Sequence, residues 1–146
     1  MEPEKLKIFI SSAIRRNALR KERRTARRAI TAHPFCIPWG WEDWSVPGSY
    51  PPVKICTAHV RKSNALILIL GSQLTAPTFK EFQAASRIPI PRMVFNKQCR
   101  KKPNAHNFLK KLRKGITYKD FKNLNEIPLA TRTLTAVGAF HRRRTD

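Results

Sequence analysis

Acidic side chains are scarce in this chain, so each one near a predicted strand end is a candidate for chemistry. The 146 residues contain 9 Asp and Glu against 30 Lys and Arg. Glu22, Glu42, Asp43 and Glu81 stand near such ends. In doubly wound folds an acid after the second strand often binds a ribose hydroxyl. Glu42 and Asp43 hold that position in the predicted order of elements.

Three tryptophans surround two of these acids, in the segment Trp39-Gly40-Trp41-Glu42-Asp43-Trp44. An indole face can stack on a nucleobase, so tryptophan beside an acid would suit a nucleoside. The same tryptophans could instead cover the edge of the hydrophobic core. The residue types alone leave both interpretations open.

Glu81 and Glu22 each have a structural interpretation that competes with a chemical one. Thr78-x-x-Glu81 has the form of a capping box, in which Thr caps a helix and Glu reaches back to its backbone. Glu22 falls on the apolar arc of a predicted helix, and an inward-facing carboxylate is costly unless it is paired. We expect Glu22 either to pair with a neighbouring arginine or to lie at the rim of a site.

Several common cofactor and catalytic motifs are absent from the sequence. It contains no G-x-G-x-x-G and no P-loop, which argues against the usual dinucleotide and nucleoside-triphosphate sites. It contains no G-x-S-x-G, and no histidine stands at a strand end where a triad would need it. The three cysteines form no C-x-x-C, and the four histidines fit no zinc spacing. We therefore expect no metal site, and reduced thiols in a cytoplasmic protein without a signal peptide or a membrane span.

Residues 64–71 organise the predicted fold. The six apolar residues at 65–70 are uninterrupted, whereas a strand wet on one face would alternate apolar and polar residues. The run is too short to cross a membrane. It predicts the central strand of a parallel sheet with helices on both faces, where ligands bind beyond the carboxyl ends of the strands. Gly71 and residues 72–81 are therefore the first place to look for a site.

The remaining pattern predicts a three-layer α/β domain with a central parallel sheet of about five strands. The other strands are predicted at 6–10, 34–38 and 89–95, with a possible edge strand at 116–121. Helices are predicted at about 12–32, 53–63, 78–88, 104–114 and 125–137. A chain of this length forms one domain, which we place at 1–139, followed by a basic tail at 140–146.

The formal net charge of +21 predicts attraction to a polyanion such as RNA or DNA. The excess is concentrated on the polar side of the first helix and in the basic loop and helix near residues 97–114. A solvated basic surface without such a partner is the alternative. The candidate nucleic-acid contacts are Arg16, Arg20, Arg23, Arg24, Arg27, Arg28, Lys101, Lys102, Lys110, Lys111 and Lys114.

The chain resembles the DUF4062 domains over nearly its whole length. Those domains begin with a K-V/I-F-I/V-S-S strand and a helix that carries E-R-x-x-x. This chain has Lys7-Ile8-Phe9-Ile10-Ser11-Ser12, and then Leu19-Arg20-Lys21-Glu22-Arg23. The resemblance continues through residues 63–71, 75–84 and 91–97, and it ends in Phe108-Leu109, Tyr118 and Phe121.

That family looks like a relative of TIR domains and nucleoside 2-deoxyribosyltransferases, which share a flavodoxin-like sheet. In those relatives a Glu on the helix after the central strand attacks or stabilises the anomeric carbon of a ribose, and Thr78-x-x-Glu81 matches their T-x-x-E pattern. A carboxylate can stabilise an oxocarbenium-like centre. The resemblance implies a nucleotide pocket in which Glu81 is catalytic. The binding residues that it implies are Ser11, Ser12, Glu42, Gly71 and Thr78.

Two functional hypotheses follow from these observations. In the first, a nucleotide-binding, TIR-like or deoxyribosyltransferase-like domain cleaves the N-glycosidic bond of NAD or a nucleoside. Its relatives suggest that it would work in a defence or signalling system, with a partner effector protein. In the second, the same fold is a basic module that binds RNA or DNA without catalysis.

Overall fold

The computed structural model describes residues 5–14, 18–44, 51–112 and 116–128. Arg16, Lys114, most of the predicted last helix and the predicted tail at 140–146 lie outside these residues. Within the described part, no helix is long and apolar enough to cross a membrane.

Strands and helices alternate along the chain. The strands are β1 (Leu6–Ser12), β2 (Cys36–Trp39), β3 (Ala65–Leu70), β4 (Arg92–Lys97) and β5 (Thr117–Phe121). The helices are α1 (Arg20–Thr31), α2 (Val53–Arg61), α3 (Ala76–Ser86) and α4 (Pro103–Lys110), and a 3₁₀ turn at Trp41–Asp43 follows β2. This alternation brings each strand back in the same direction, so the sheet is parallel.

The sheet has five parallel strands in the order β2-β1-β3-β4-β5. β3 lies at its centre and every residue of β3 is buried, which confirms the prediction from its apolar run. The chain passes from β1 outward to β2 and then crosses back to β3. Such a reversal opens a crevice at the carboxyl ends of β1 and β3, where ligands bind in doubly wound folds.

Two hydrophobic clusters cover the two faces of the sheet. On one face, Ala26 and Ile30 of α1 pack against Ile8, Ile67 and their neighbours. On the other face, α2, α3 and α4 pack against side chains such as Phe9 and Leu68. The three-layer, flavodoxin-like arrangement predicted from the sequence is therefore present.

The start of α1 differs from the prediction. The helix begins at Arg20 rather than near residue 12, and Leu19 precedes it with φ 59° in the left-handed region. A leucine there is unusual, but its side chain packs against the core cluster beneath α1. The same side chain lies against Gly71, where a Cβ would come within 3.2 Å of its Cδ2 atom. Leu19 is thus held by tertiary contacts that helical periodicity does not report.

Candidate functional site

A buried carboxylate lies at the crevice between β1 and β3. Glu81 stands in the second turn of α3 and is 8% exposed. The Oγ of Ser11, near the end of β1, donates a hydrogen bond to Glu81 Oε1 at 2.6 Å. Cys56, on α2, lines the same cavity as this carboxyl group. Three elements therefore converge on one acidic side chain.

The structure shows that Glu81 does not cap its helix. α3 begins at Ala76 with Thr75 as its N-cap, so Thr78 is already inside the first turn. Pro77 favours this early start, because proline suits the first turn, where its missing N–H costs nothing. Thr75 Oγ1 donates to Thr78 Oγ1 at 2.8 Å. The capping-box interpretation of Thr78 and Glu81 is wrong, and the carboxylate is turned toward Ser11 instead.

Burial raises the pKa of Glu81 to about 7, although the hydrogen bond from Ser11 acts to lower it. A carboxyl group with this pKa is present in both protonation states near neutral pH, which suits acid–base or nucleophilic work. Burial, followed by the charge of Glu81, raises the pKa of the Cys56 thiol to about 12. Cys56 therefore keeps its proton at neutral pH.

A cavity of about 450 Å³ opens beside this carboxylate. Its volume falls within the range of about 300–1,000 Å³ that is usual for small-molecule sites. Of the residues predicted for the site, Ser12, Thr78 and Glu81 line it. Ser11 reaches it through its hydrogen bond to Glu81. The structure thus brings four of the six predicted residues to one place.

Glu42 and Gly71, the other two predicted residues, are not among the residues that line the cavity. Glu42 Oε1 accepts a 2.6 Å ion-pair contact from the Nε of Arg23, and the Glu42 side chain is 36% exposed. The carbonyl of Gly71, just after β3, accepts a 2.7 Å hydrogen bond from the Nζ of Lys101. Glu42 therefore reaches the cavity through Arg23, which lines it, whereas the lysine bound to Gly71 is not a lining residue.

Arg23 was expected on the solvent side of α1, and this prediction is wrong. The residue is 2% exposed and lines the cavity. Besides Glu42, its guanidinium donates through Nη1 to Ser12 Oγ at 3.2 Å, Ala13 O at 3.1 Å and Ala18 O at 2.5 Å. The loop after β1 presents buried acceptors, and a guanidinium offers five donors in a fixed geometry. That demand, rather than helical periodicity, places Arg23 inside.

The tryptophans divide between the two interpretations left open by the sequence. Trp39 is stacked with Phe9 and with His59, at centroid distances of 5.3 Å and 3.9 Å. Its ring therefore belongs largely to the packed edge of the core, although it also lines the cavity. Trp41 lines the cavity as well, with the Arg23 guanidinium 5.8 Å from its ring centroid.

Glu22 is buried, as expected, and it is paired. Its Oε1 accepts a 2.8 Å contact from the Nζ of Lys97, at the end of β4. The partner is a lysine from the strand β4 rather than an arginine that neighbours Glu22 in the sequence. Glu22 is not among the residues that line the cavity beside Glu81.

The basic residues predicted to bind nucleic acid fall on both faces of the sheet. On α1, the side chains of Arg20, Arg24 and Arg28 are exposed and pair with no carboxylate among the described residues. Arg27 forms a two-pronged ion pair with Asp43.

The second group of basic residues accompanies α4, on the other face. Lys102, Lys110 and Lys111 are exposed. Lys101 is half-buried because its Nζ donates to the carbonyls of Gly71 and Lys97, at 2.7 Å and 2.6 Å. Lys101 thus ties the ends of β3 and β4 together.

No group of three or more His, Cys, Asp and Glu able to hold a metal ion occurs among the described residues. Cys36, Cys56 and Cys99 all carry free thiols.

Comparisons with known proteins agree with this fold. A family model described as "Domain of unknown function (DUF4062)" matches residues 7–133, and no curated protein matches the chain. A conserved protein from Enterococcus faecalis V583 superposes with a TM-score of 0.61 at 14% identity, over 88% of this chain and 98% of that one. A flavodoxin from the domain Archaea superposes with a TM-score of 0.59 at 8% identity, over 92% of this chain and 99% of that one. At these identities the likeness concerns the fold alone.

Proposed function

The chain belongs to the DUF4062 family, a domain of unknown function, and we propose that its cavity binds a nucleoside or nucleotide whose N-glycosidic bond Glu81 helps to cleave. NAD is one candidate substrate. The observation that carries the proposal is the position of Glu81: a buried carboxyl group, held by Ser11, that lines a cavity at the β1–β3 crevice. The resemblance to TIR domains and nucleoside 2-deoxyribosyltransferases motivates the choice of bond.

The chemistry requires a carboxylate on one face of the sugar. When the bond from the anomeric carbon to the base nitrogen breaks, its electron pair leaves with the base and positive charge develops on the sugar. An ionised Glu81 stabilises that charge or forms a transient ester with the anomeric carbon. Water then supplies the hydroxyl group of the sugar product, and its other proton passes to Glu81 or to the departing base. A pKa of about 7 leaves a substantial fraction of Glu81 ionised at neutral pH.

Neighbouring side chains would orient the carboxylate and the ligand. Ser11 fixes one carboxylate oxygen at 2.6 Å, which limits rotation of the Glu81 side chain. The hydroxyl groups of Ser12 and Thr78 lie on the cavity lining, where they could meet ribose hydroxyls. Trp41 supplies an aromatic wall, and aromatic faces bind bases by stacking.

The test is the release of free base by purified protein that has been stripped of nucleic acid. NAD and a panel of nucleosides and nucleotides are incubated with the protein, and nicotinamide or free base is measured by chromatography. Glu81→Gln should abolish release, because the amide cannot carry the negative charge. Glu126→Gln is a matched control: Glu126 accepts hydrogen bonds from the backbone of Lys122 and Asn123, away from the cavity, and release should persist.

Two results would count against this function. One is base release that survives Glu81→Gln. The other is the absence of both turnover and ligand-induced stabilisation across the whole substrate panel.

A second candidate function is nucleic-acid binding, and the arrangement of arginines on α1 favours it. Arg20, Arg24 and Arg28 repeat every four residues, so their Cα atoms rise by about 6 Å per step along one side of the helix. Exposed arginines in such a row can meet successive phosphates. They belong to a chain with a net charge of +21.

Salt titration tests this second function. The slope of log affinity against log salt falls in magnitude by about 0.9 for each phosphate contact that is lost. Replacement of Arg20, Arg24 and Arg28 by Ala should therefore reduce the slope for duplex DNA by about 3. The matched control replaces Lys102, Lys110 and Lys111, on the opposite face. Equal effects of the two triple variants would indicate attraction by net charge rather than a binding face on α1.

A further inference from the structure

A second cavity, of about 830 Å³, runs between α3 and α4 on the face of the sheet opposite α1. α3 packs closely against α2 but makes no comparable packing with α4. Phe82 and Phe108 form the floor, with ring centroids 5.1 Å apart in an edge-to-face pair. Phe79 stands at the rim and is 39% exposed. We call this feature the α3–α4 groove; its floor rings are buried, and Phe79 is the aromatic side chain exposed at its rim.

The described residues that line the α3–α4 groove carry positive charge and no negative charge. Among the described residues that line it there is no Asp or Glu, whereas Arg92 and Lys111 contribute cations. The Arg92 guanidinium lies 4.8 Å from the Phe82 ring centroid and is half-buried, without an ion pair in the described part of the chain. Loss of hydration lowers the pKa of Arg92. A partner carboxylate would therefore find a cation that is already partly stripped of water.

The dimensions of the groove suit one helix. It follows α3 along its 11 residues, which at 1.5 Å per residue is about 16 Å, or three helical turns. An amphipathic helix of that length presents anchors at positions i, i+3 or i+4, and i+7. Apolar anchors would meet Phe79, above the buried rings of Phe82 and Phe108. A flanking Glu or Asp would meet Arg92.

We propose that the α3–α4 groove docks an acidic amphipathic helix of a partner protein. A second copy of this chain is a poor occupant, because each copy carries a net charge of +21 and like charges disfavour association. The same positive charge attracts an acidic helix during its approach and stabilises it once it is docked. The proposal does not depend on Glu81 or on any reaction in the neighbouring cavity.

The experiment uses a displayed library of 16-residue helical peptides with a randomised apolar stripe and a Glu-rich opposite face. Enriched peptides are made with a fluorescent label, and their affinity for the full chain is measured by anisotropy. Each enriched peptide is compared with a scrambled version of identical composition, which keeps the charge and loses the stripe. Glu81→Gln should bind the peptides as the unmodified protein does, which separates this proposal from the proposed function.

The decisive variant is Phe79→Ser, matched by Phe35→Ser. Phe35 is 49% exposed and does not line the groove, so Phe35→Ser makes the same substitution at a position outside the groove. Loss of an apolar anchor should weaken binding by about fivefold or more at Phe79, and by less than about twofold at Phe35. Arg92→Gln should also weaken binding.

Three outcomes would overturn the proposal: no enrichment of any peptide, equal binding of scrambled peptides, or affinity that is unchanged by Phe79→Ser. Circular dichroism of both variants verifies that the fold is retained.

Discussion

Replacement of Glu81 by Gln should stabilise the protein at alkaline pH and leave its stability almost unchanged in acid. Gln has the shape of Glu and keeps an oxygen that accepts the hydrogen bond from Ser11 Oγ, which is 2.6 Å long with Glu81. What it removes is a negative charge from a residue that is 8% exposed. The effect of the substitution on folding therefore isolates the cost of ionising a buried carboxyl group.

The expected magnitude follows from the pKa. Burial raises the pKa of Glu81 from its ordinary value of 4.5 to about 7. Between these values, rising pH removes the proton from the unfolded chain while the folded chain retains it, so the stability of the folded state falls. Below pH 4 both states hold the proton and the cost vanishes. Above pH 7 the cost is complete, at about 3 kcal/mol.

The assay is urea unfolding of both proteins at intervals from pH 4 to pH 8. The difference in free energy of unfolding should grow from near zero at pH 4 to about 3 kcal/mol in favour of Glu81→Gln at pH 8. In thermal unfolding this corresponds to a rise in Tm of about 10 °C for a chain of this length. A protein that loses activity yet gains stability would identify Glu81 as a residue kept for function.

Glu126→Gln is a control for which the expected change in stability has the opposite sign. Backbone hydrogen bonds from Asn123 and Lys122 lower the pKa of Glu126, so its contribution stabilises the folded state at neutral pH and disappears in acid. Its replacement should therefore cost stability at neutral pH. A stability difference for Glu81→Gln that stays constant from pH 4 to pH 8 would refute the reasoning, because it would show that Glu81 ionises as readily in the folded chain as in the unfolded one.

Two further predictions concern the neighbours of this carboxylate. Ser11→Ala removes a hydrogen bond that favours the ionised form of Glu81, so the pKa of Glu81 should rise above about 7. The pH at which the stability measured by urea unfolding levels off should then rise too. An unchanged dependence of stability on pH would show that Ser11 does not control the pKa of Glu81. Arg23→Ala leaves loop carbonyls without their buried donor and should cost about 3 kcal/mol in urea unfolding, whereas Arg24→Ala, at the exposed neighbouring position, should stay within about 0.5 kcal/mol. Similar losses for the two arginine variants would contradict the burial of Arg23.

The fold could be predicted from the sequence. An uninterrupted apolar run is fully buried only in a strand whose two faces are both covered, and β3 is that strand. The alternation of strand and helix then restricts the chain to few topologies. The edge strand predicted at 116–121 is present as β5 (Thr117–Phe121). The family resemblance, carried by short motifs spread over the chain, is confirmed by the match over residues 7–133.

Which residues form the site depends on how distant segments of the chain pack together. Ser11 and Glu81 are 70 residues apart, and they touch because the end of β1 lies beneath α3. Thr78-x-x-Glu81 is equally compatible with a cap, and only the start of α3 at Ala76 excludes it. No sequence motif marks Cys56, and its place beside Glu81 depends on the packing of α2 against α3.

Arg23 shows why the fold was easier to predict from the sequence than the site residues. Periodicity measures which side of a helix is apolar on average, and it assigned Arg23 to solvent with the other arginines of α1. The structure buries it because a neighbouring loop presents Ser12, Ala13 and Ala18 as acceptors that need a donor. Hydrophobic pattern is a property of the local sequence, whereas the pairing of polar groups depends on which segments meet in space.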